Sequence, residues 1–339
     1  MGKIKAIALL SGGLDSLLSV ILMRKQGIDV TALTFLTHFG CDITDKSSCS
    51  KDQAEHGQQY GFTIKLAHLG DKFFNIVKNP EYGRGKNMNP CMDCRILMLK
   101  EAGEFMRMTG ADFVVTGEVL GQRPMSQRRD TFPVIDKRSE LQGLVLRPLS
   151  AKLLKPTIPE INGLVDREKL YDFAGRSRKP QIALAREFAL TDYPAPAGGC
   201  LLTDPMYSKR LKELLEHNPS PSMEDISLLR LGRHFRVSRT TKIIVGRNEK
   251  ENQQITQIAN QTDYLVQVTQ YGSPVTLVRG GDNDEFVYTA CAVCARYTGA
   301  KELPSVEVAV FKGNFDEKSF CYTMDVEPAK DEYMDMMRI

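Results

Sequence analysis

Six residues near the start of the chain combine the types needed to hold a polyphosphate. The segment Ser11-Gly12-Gly13-Leu14-Asp15-Ser16 directly follows the apolar run 6–10, and helical spacing continues from it to Gln26. Such a run is typical of a buried strand, so the glycines and serines occupy a strand-to-helix turn, where backbone N–H groups and the helix dipole attract anions. Asp15 would repel phosphate unless a magnesium ion lay between them. This combination favours a nucleotide with its metal.

Three cysteines have the chemistry to ligate a metal or to carry sulfur. Cys91 and Cys94 form a CxxC motif at the start of a predicted helix, which places both sulfurs on one side, and Cys200 lies in a glycine turn. Such thiols suit a redox pair, a zinc ion or an iron–sulfur cluster, and structural thiols are the plainer alternative. A second CxxC at 291–294 lies in an apolar helix, where packing is favoured over ligation.

Strands and helices alternate in the first half of the chain and must position these residues. The predicted strands span 6–10, 29–35, 62–67 and 113–115. The predicted helices span 14–26, 49–60 and 93–108. This order predicts an α/β domain with a doubly wound parallel sheet, in which the carboxyl ends of the strands line one ligand-binding rim.

The last third of the chain changes character. Its short β-like runs lie at 242–245, 264–268, 274–278 and 306–311, with a helix at 285–297. They predict a second, smaller α+β domain. We expect a first domain at 1–185, a connecting segment at 186–230 that carries Cys200, and the α+β domain at 231–339.

The bulk composition excludes several classes of protein. The chain has 339 residues, 42% of them hydrophobic, which is enough for packed cores, and a net charge of +3. No apolar run approaches the roughly 20 residues that cross a bilayer. Residues 1–3 lead directly into the first strand, so we expect no signal peptide, a cytoplasmic location and no membrane partner. Eight cysteines in that compartment are better explained as thiols or ligands than as disulfides.

Several segments in register resemble a known family. The hexapeptide, the loop 116–127, the segment 144–149 and the helix start 95–99 are similar to the PP-loop domain of tRNA 4-thiouridine synthetases, over roughly residues 1–160. The resemblance implies an adenine nucleotide alpha hydrolase-like fold that splits ATP between its α and β phosphates. The family pattern has one residue fewer between Gly121 and Gln127. The implied ATP-binding residues are Leu10, Ser11, Gly12, Gly13, Asp15, Ser16, Thr34, Phe35, Arg95, Gly117 and Gln127.

The cysteine pattern carries a further resemblance. A CxxC pair with one distant cysteine is similar to the subgroup of tRNA thiolation enzymes that hold a [4Fe–4S] cluster on three cysteines. This implies that Cys91, Cys94 and Cys200 are cluster ligands and catalytic groups. Asp15, beside the expected magnesium ion, is the other predicted catalytic residue. A persulfide and disulfide relay on the same thiols, without metal, is the main alternative, and zinc is a minor one.

A basic string in the last third resembles another family. Residues 245–252, in a similarity that extends to about residue 311, resemble the RNA-binding domain of the NFACT proteins. A basic cluster alone is usually a solvated face, but beside a thiouridine-synthetase-like domain it predicts phosphate contacts to an RNA. The predicted RNA-binding residues are Arg123, Arg128, Arg129, Arg236, Arg239, Lys242 and Arg247.

Together these features predict an ATP-dependent tRNA sulfurtransferase that adenylates a uridine carbonyl and replaces its oxygen by sulfur, giving 4-thiouridine or 2-thiouridine. Its expected cofactors are ATP, Mg²⁺ and the [4Fe–4S] cluster, and its expected partners are tRNA and a sulfur donor, either sulfide or a cysteine desulfurase. A PP-loop enzyme for a small molecule (amide ligation or sulfur insertion) and an RNA-binding quality-control factor are the alternatives. We expect neither a THUMP region nor a rhodanese domain. The oligomeric state, a homodimer included, stays open.

Overall fold

A computed structural model describes residues 2–40, 51–191, 193, 200–281, 284–315 and 319–339, with the backbone alone at 51–53. The chain forms two compact units, Met1–Thr203 and Asp204–Ile339. The boundary falls inside the predicted connecting segment 186–230. In the described part of the chain, no helix is both long and apolar enough to span a membrane.

The first unit is built on a parallel sheet, as the sequence predicts. Its described strands are β1 (Lys5–Leu9), β2 (Asp29–Leu36), β3 (Thr63–His68), β4 (Phe113–Thr116) and β5 (Val145–Leu146). Their order is β3-β2-β1-β4-β5, and each neighbouring pair is parallel. The central strand β1 is buried on both sides, which explains its continuous apolar run.

Helices cover both faces of this sheet. They are α1 (Leu14–Lys25), α2 (Lys51–Tyr60), α3 (Gly70–Lys78), α4 (Cys91–Thr109), α5 (Thr131–Arg138), α6 (Ile158–Ile161) and α7 (Lys179–Glu187). Ala6 and Ala8 pack with α1 and α7 in one core. Ile7 and Leu9 pack with α4 and α5 in another. The doubly wound architecture is therefore confirmed.

The second unit is an α+β domain, also as predicted. Its strands are β6 (Arg233–Arg236), β7 (Lys242–Val245), β8 (Tyr264–Val268), β9 (Thr276–Arg279), β10 (Val306–Lys312) and β11 (Phe320–Val326). They pair antiparallel in the order β11-β10-β8-β9-β7-β6. Its helices are α8 (Pro205–His217), α9 (Met223–Leu228), α10 (Glu249–Ile258), α11 (Asp284–Arg296) and α12 (Asp331–Met337). Apolar cores lie on both faces of this sheet.

Two strands of the second unit were not predicted. In strand β6 the consecutive residues His234 and Phe235 are both buried and lie between two arginines, so the strand lacks the alternation that would reveal it. Strand β11 is an edge strand whose residues are mostly exposed, so it lacks the alternation that identifies strands. The predicted start of one helix at Cys49 lies outside the described residues.

Candidate active site

The carboxyl ends of three strands meet at one rim of the first sheet. Leu9 pairs with Leu33 on one side and with Thr116 on the other. The chain continues from β1 toward β2 and β3 and then returns to the opposite side at β4, so the strand order switches direction between β1 and β4. A crevice at such a switch point is where open α/β sheets bind ligands. Thr34, which is buried, and Phe35, which is half-buried, lie at the end of β2 on this rim.

The loop after β1 is folded as an anion-binding turn. Gly12 has φ +75°, a conformation that favours glycine, and Gly13 precedes helix α1 without any capping side chain among the described residues. The Ser16 hydroxyl accepts the Ser11 N–H at 3.2 Å and donates to the Gly13 carbonyl at 2.8 Å. Leu10 fixes the base of the loop by donating its N–H to the Leu33 carbonyl at 2.8 Å. The first turn of α1 therefore offers its N–H groups to a phosphate.

Asp15 lies in this loop beside the segment that follows β4. One carboxylate oxygen, Oδ2, accepts a hydrogen bond from the Gln122 amide at 2.9 Å, and the other, Oδ1, is enclosed with no partner among the described residues. Burial raises the pKa of Asp15, against the hydrogen bond from Gln122 and the charges of Arg178 and Arg123. An enclosed carboxylate oxygen without a donor is a suitable ligand for a magnesium ion.

Gly117 lets the segment after β4 press against this loop. A Cβ atom at Gly117 would lie 2.5 Å from the Ser16 nitrogen and 2.7 Å from the Asp15 carbonyl carbon, so only glycine fits there. Further along, Gly121 donates its N–H to the Gln127 carbonyl at 2.6 Å. Gln127 itself is buried, and its Oε1 has no partner among the described residues.

A buried ion-pair network, which the sequence analysis did not single out, supports Arg95. The carboxylate of Glu118 lies 3.0 Å from Arg95 Nε and 3.0 Å from Arg147 Nε. Arg147 also makes two hydrogen bonds to Asp136, at 2.9 and 2.7 Å. Both Glu118 and Arg147 are buried. In the sequence, the only sign of this network is that the carboxylate of Glu118 comes two residues after a buried strand.

The three predicted cysteines lie together in the first unit. Cys91 and Cys94 occupy the first turn of α4, and Cys94 interacts electrostatically with both Cys91 and Cys200. The segment of Cys200 is held by hydrogen bonds from the Met88 N–H to the Leu202 carbonyl, at 3.1 Å, and from the Asn87 amide to the Thr203 carbonyl, at 2.8 Å. The loop before α4 thus brings the distant thiol to the CxxC pair.

Asp93, inside the CxxC motif, fixes the same loop. Its carboxylate accepts the N–H groups of Glu81 at 2.9 Å and Tyr82 at 3.2 Å. Asp93 is buried, and burial raises its pKa despite these hydrogen bonds. One of the two residues between the cysteines therefore has a structural role of its own.

Burial raises the pKa of all three thiols, that of Cys94 to about 12. The positive charges of Arg123 and Arg95 oppose this at Cys91, and Arg123 also opposes it at Cys200. Thiolates are the form that ligates metals and attacks electrophiles. Within the described residues, no three His, Cys, Asp or Glu side chains are arranged to hold a metal ion. The donor types suit an iron–sulfur cluster, but the present arrangement of the thiols does not form its site.

The remaining cysteines differ from these three. Cys291 and Cys294 are completely buried in the core of the second unit, where the Cys294 sulfur lies 3.5 Å from the Pro274 carbonyl oxygen. They are packing residues, as the sequence favours. Cys321 is exposed on β11, and Cys41 and Cys49 lie outside the described residues.

Most of the predicted RNA-binding cations already have protein partners. Arg236 and Lys242 share the carboxylate of Glu213, and Arg247 is bonded to Glu251. In the first unit, Arg128 pairs with Asp130 at 3.0 Å, and Arg129 donates to the Leu153 carbonyl at 3.0 Å. Arg123 and Arg239 are exposed, and for both, no ion pair forms within the described part of the chain.

Comparison with known proteins gives one match to each unit. Residues 2–162 match the family model described as "Thiamine biosynthesis protein (ThiI)", and residues 232–336 match the "NFACT protein RNA binding domain". Both resemblances are confirmed. Each matched segment contains one of the two sheets of the structure, so the two resemblances fall on separate units of the chain.

Curated relatives extend the first match. A bifunctional protein NifU/MnmA of Rubrobacter xylanophilus is 30% identical over 167 residues, covering 46% of this chain and 33% of that protein. A tRNA-specific 2-thiouridylase MnmA of Stutzerimonas stutzeri is 24% identical over 242 residues, covering 68% of this chain and 60% of that protein. The chain thus spans between one third and three fifths of the length of these relatives.

A solved 4-thiouridine synthetase in complex with RNA and ATP is 19% identical, with a TM-score of 0.35, covering 56% of this chain and 54% of that one. A likeness at this level adds nothing to the fold established by the strand order.

Proposed function

We propose that this chain is an ATP-dependent tRNA sulfurtransferase. The observation that carries the proposal is the position of the segment after β4. Its Gln122 amide donates to Asp15 Oδ2 at 2.9 Å. Its Met125 sulfur lies beside Gly85, where a Cβ atom would also be 3.7 Å from the Cys91 sulfur. A phosphate-binding loop and a set of thiols therefore face a common region of the first unit. The ThiI match and the thiouridylase relative support the same reaction class.

The reaction would have two steps. First, the carbonyl oxygen of a uridine attacks the α-phosphorus of ATP, which forms an adenylated base and releases pyrophosphate. The N–H groups at the start of α1 and the Ser11 and Ser16 hydroxyls stabilise the charge that develops on the leaving group. Second, a sulfur nucleophile attacks the activated carbon and displaces AMP, which leaves a thiouridine.

Two groups of residues complete this scheme. Asp15 would hold a magnesium ion through its enclosed Oδ1, and the ion would neutralise charge on the pyrophosphate. Cys91, Cys94 and Cys200 would handle the sulfur, since thiolates are soft ligands and strong nucleophiles. The [4Fe–4S] cluster, the target carbonyl and the sulfur donor stay predictions, and so do contacts of the second unit with tRNA.

The test is a thiolation assay with anaerobically purified chain, ATP, sulfide and unmodified tRNA. Pyrophosphate release reports adenylation, and mass spectrometry of the digested tRNA identifies the thiouridine. Asp15→Asn should lose both signals, whereas Cys200→Ala should keep pyrophosphate release and lose thiolation. Cys321→Ser, which changes an exposed thiol of the second unit, is the matched control and should keep both.

Iron and sulfide analysis of the same preparations distinguishes the sulfur carriers. Iron and sulfide that are lost in Cys91→Ala, Cys94→Ala and Cys200→Ala would support the cluster. A metal-free protein that thiolates only when a cysteine desulfurase and cysteine replace sulfide, with a thiol reductant present to reduce the resulting disulfide, would support the persulfide relay. Pyrophosphate release that is independent of tRNA would contradict the proposed function and favour a small-molecule substrate.

A further inference from the structure

A pocket of about 270 Å³ opens in the second unit. It lies between the end of α8, helix α9 and the strands β6, β7 and β9, and every residue that lines it belongs to this unit. Leu214, Leu228 and Ile244 line its apolar part, and all three are buried. The pocket therefore has room and an apolar surface for a small organic group.

Cations dominate the wall of the pocket that β6 and β7 form. Arg236, Arg239 and Lys242 line it, and Lys242 is buried although its side chain is charged. Glu213 is shared by two of them, with its Oε2 atom 3.2 Å from Lys242 Nζ and its Oε1 atom bonded to Arg236 Nε. Arg239 has no carboxylate partner within the described part of the chain. This wall thus carries two positive charges beyond those that Glu213 balances.

Arg279 on β9 pairs in register with Lys242 on the neighbouring strand β7, but it adds no uncompensated cation to the pocket. Arg279 is bonded to Asp225 at 2.9 Å and to Asp263 at 2.7 Å, so its charge is satisfied within the protein. Two carboxylates share the single charge of Arg279, so an anion would bind at the β6 side of the pocket, near Arg236 and Arg239.

His234 supplies a polar atom beside the cations. Its ring is buried, Nε2 lies 2.7 Å from the Leu231 carbonyl oxygen, and Nδ1 has no hydrogen-bond partner among the described residues. Burial, with the charges of Lys242 and Arg210, holds the pKa of His234 well below its ordinary value, so the ring is neutral. Because Nε2–H donates to the Leu231 carbonyl, Nδ1 of the neutral ring is an acceptor, which a donor on the organic group or a water molecule would satisfy and the phosphate would not.

We infer that this pocket binds a phosphomonoester, with the phosphate against Arg236, Arg239 and Lys242 and the organic group against the apolar residues. A phosphomonoester carries close to two negative charges near neutral pH, whereas an internal RNA phosphate carries one, so the phosphomonoester gains more from the positive charge that Arg236, Arg239 and Lys242 carry beyond Glu213. The small volume suits a terminal group. Its source is either the 5′-terminal phosphate of an RNA or a free nucleoside monophosphate. The inference does not depend on thiolation by the first unit.

The test uses the full-length chain and three probes: a short RNA with a 5′-phosphate, the same RNA with a 5′-hydroxyl, and free uridine monophosphate. Affinities for the RNAs are measured by fluorescence anisotropy and that for uridine monophosphate by calorimetry. Arg239→Gln removes the unpaired cation without breaking an ion pair, so the fold should be retained. Lys212→Gln, an exposed cation of α8 whose partner Glu216 is 3.9 Å away, is the control for general charge.

Arg239→Gln should lower the affinity for the 5′-phosphorylated RNA about tenfold, the effect of one charge-assisted hydrogen bond, and leave the 5′-hydroxyl RNA unchanged. Lys212→Gln should change the affinities for the two RNAs by the same factor. If the loss occurs with uridine monophosphate and not with the RNA pair, the pocket takes a free phosphomonoester. Equal losses for both RNAs in both variants, or no loss with any probe, would overturn the inference.

Discussion

Substitution of Gly117 by alanine tests whether the segment after β4 sets the shape of the phosphate loop. The added Cβ would lie 2.5 Å from the Ser16 nitrogen and 2.6 Å from Ser16 Cα, and both are backbone atoms at the start of α1. Ordinary contact needs 3.4 Å, so the two segments must separate by about 0.9 Å. Overpacking of this kind destabilises a protein by about 1–3 kcal/mol. The shift also moves the amides that would bind the phosphates.

Loss of one charge-assisted hydrogen bond from these amides, about 2 kcal/mol, would lower the affinity for ATP about 30-fold. Calorimetric titration with ATP measures the affinity, and urea unfolding measures the stability. Gly13→Ala is the matched comparison, because its Cβ would meet only the Ser11 hydroxyl, at 3.6 Å. That variant should unfold like the wild type. A Gly117→Ala protein that binds ATP within threefold of the wild type would refute the reasoning.

Two further predictions concern buried charges. Arg147→Met should lower the free energy of unfolding by about 3–5 kcal/mol, because Glu118 and Asp136 lose their guanidinium partner, whereas Arg128→Met at an exposed pair should cost less than about 1 kcal/mol. Urea unfolding of both variants checks this, and similar losses would contradict it. Burial lowers the pKa of Lys242 to about 8 from an ordinary value of 10.5. Between these values the unfolded chain binds more protons than the folded one, so stability relative to Lys242→Met should rise with pH, by up to about 3 kcal/mol. A constant difference across pH 8 to 10.5 would show that Lys242 titrates normally.

The parts of the fold that the sequence predicts are those with strong local patterns. Strand β1 and helix α1 are a continuous apolar run and a helical repeat, and both lie within one residue of their predicted bounds. Strand β6 was missed because Arg233 and Arg236 dominate its four residues, and β11 was missed because most of its side chains are exposed. A strand is hard to recognise from its sequence when buried and exposed residues do not alternate along it.

In the candidate site, too, local features can be predicted from the sequence and pairings between distant residues cannot. The loop from Ser11 to Ser16 is contiguous, so its chemistry is visible in the sequence. The pairing of Glu118 with Arg147 joins residues 29 positions apart, and no local pattern shows which carboxylate faces which guanidinium. For the same reason the sequence did not show that Arg236 and Lys242, predicted to bind RNA, share the carboxylate of Glu213, which lies on a different element.

The hydrogen bonds that hold the segment of Cys200 have a consequence for the order in which the first unit folds. The hydrogen bond from Asn87 to Thr203 spans 116 positions, whereas the phosphate loop closes over five. Closing a long stretch of chain carries a larger entropic penalty and is slower than forming neighbouring contacts. The nucleotide loop can therefore acquire its shape while the third thiol is still unattached. Under the proposed function, the thiol that handles sulfur would therefore be separable in folding from the loop that binds the nucleotide, and changes at 200–203 would leave the shape of that loop intact.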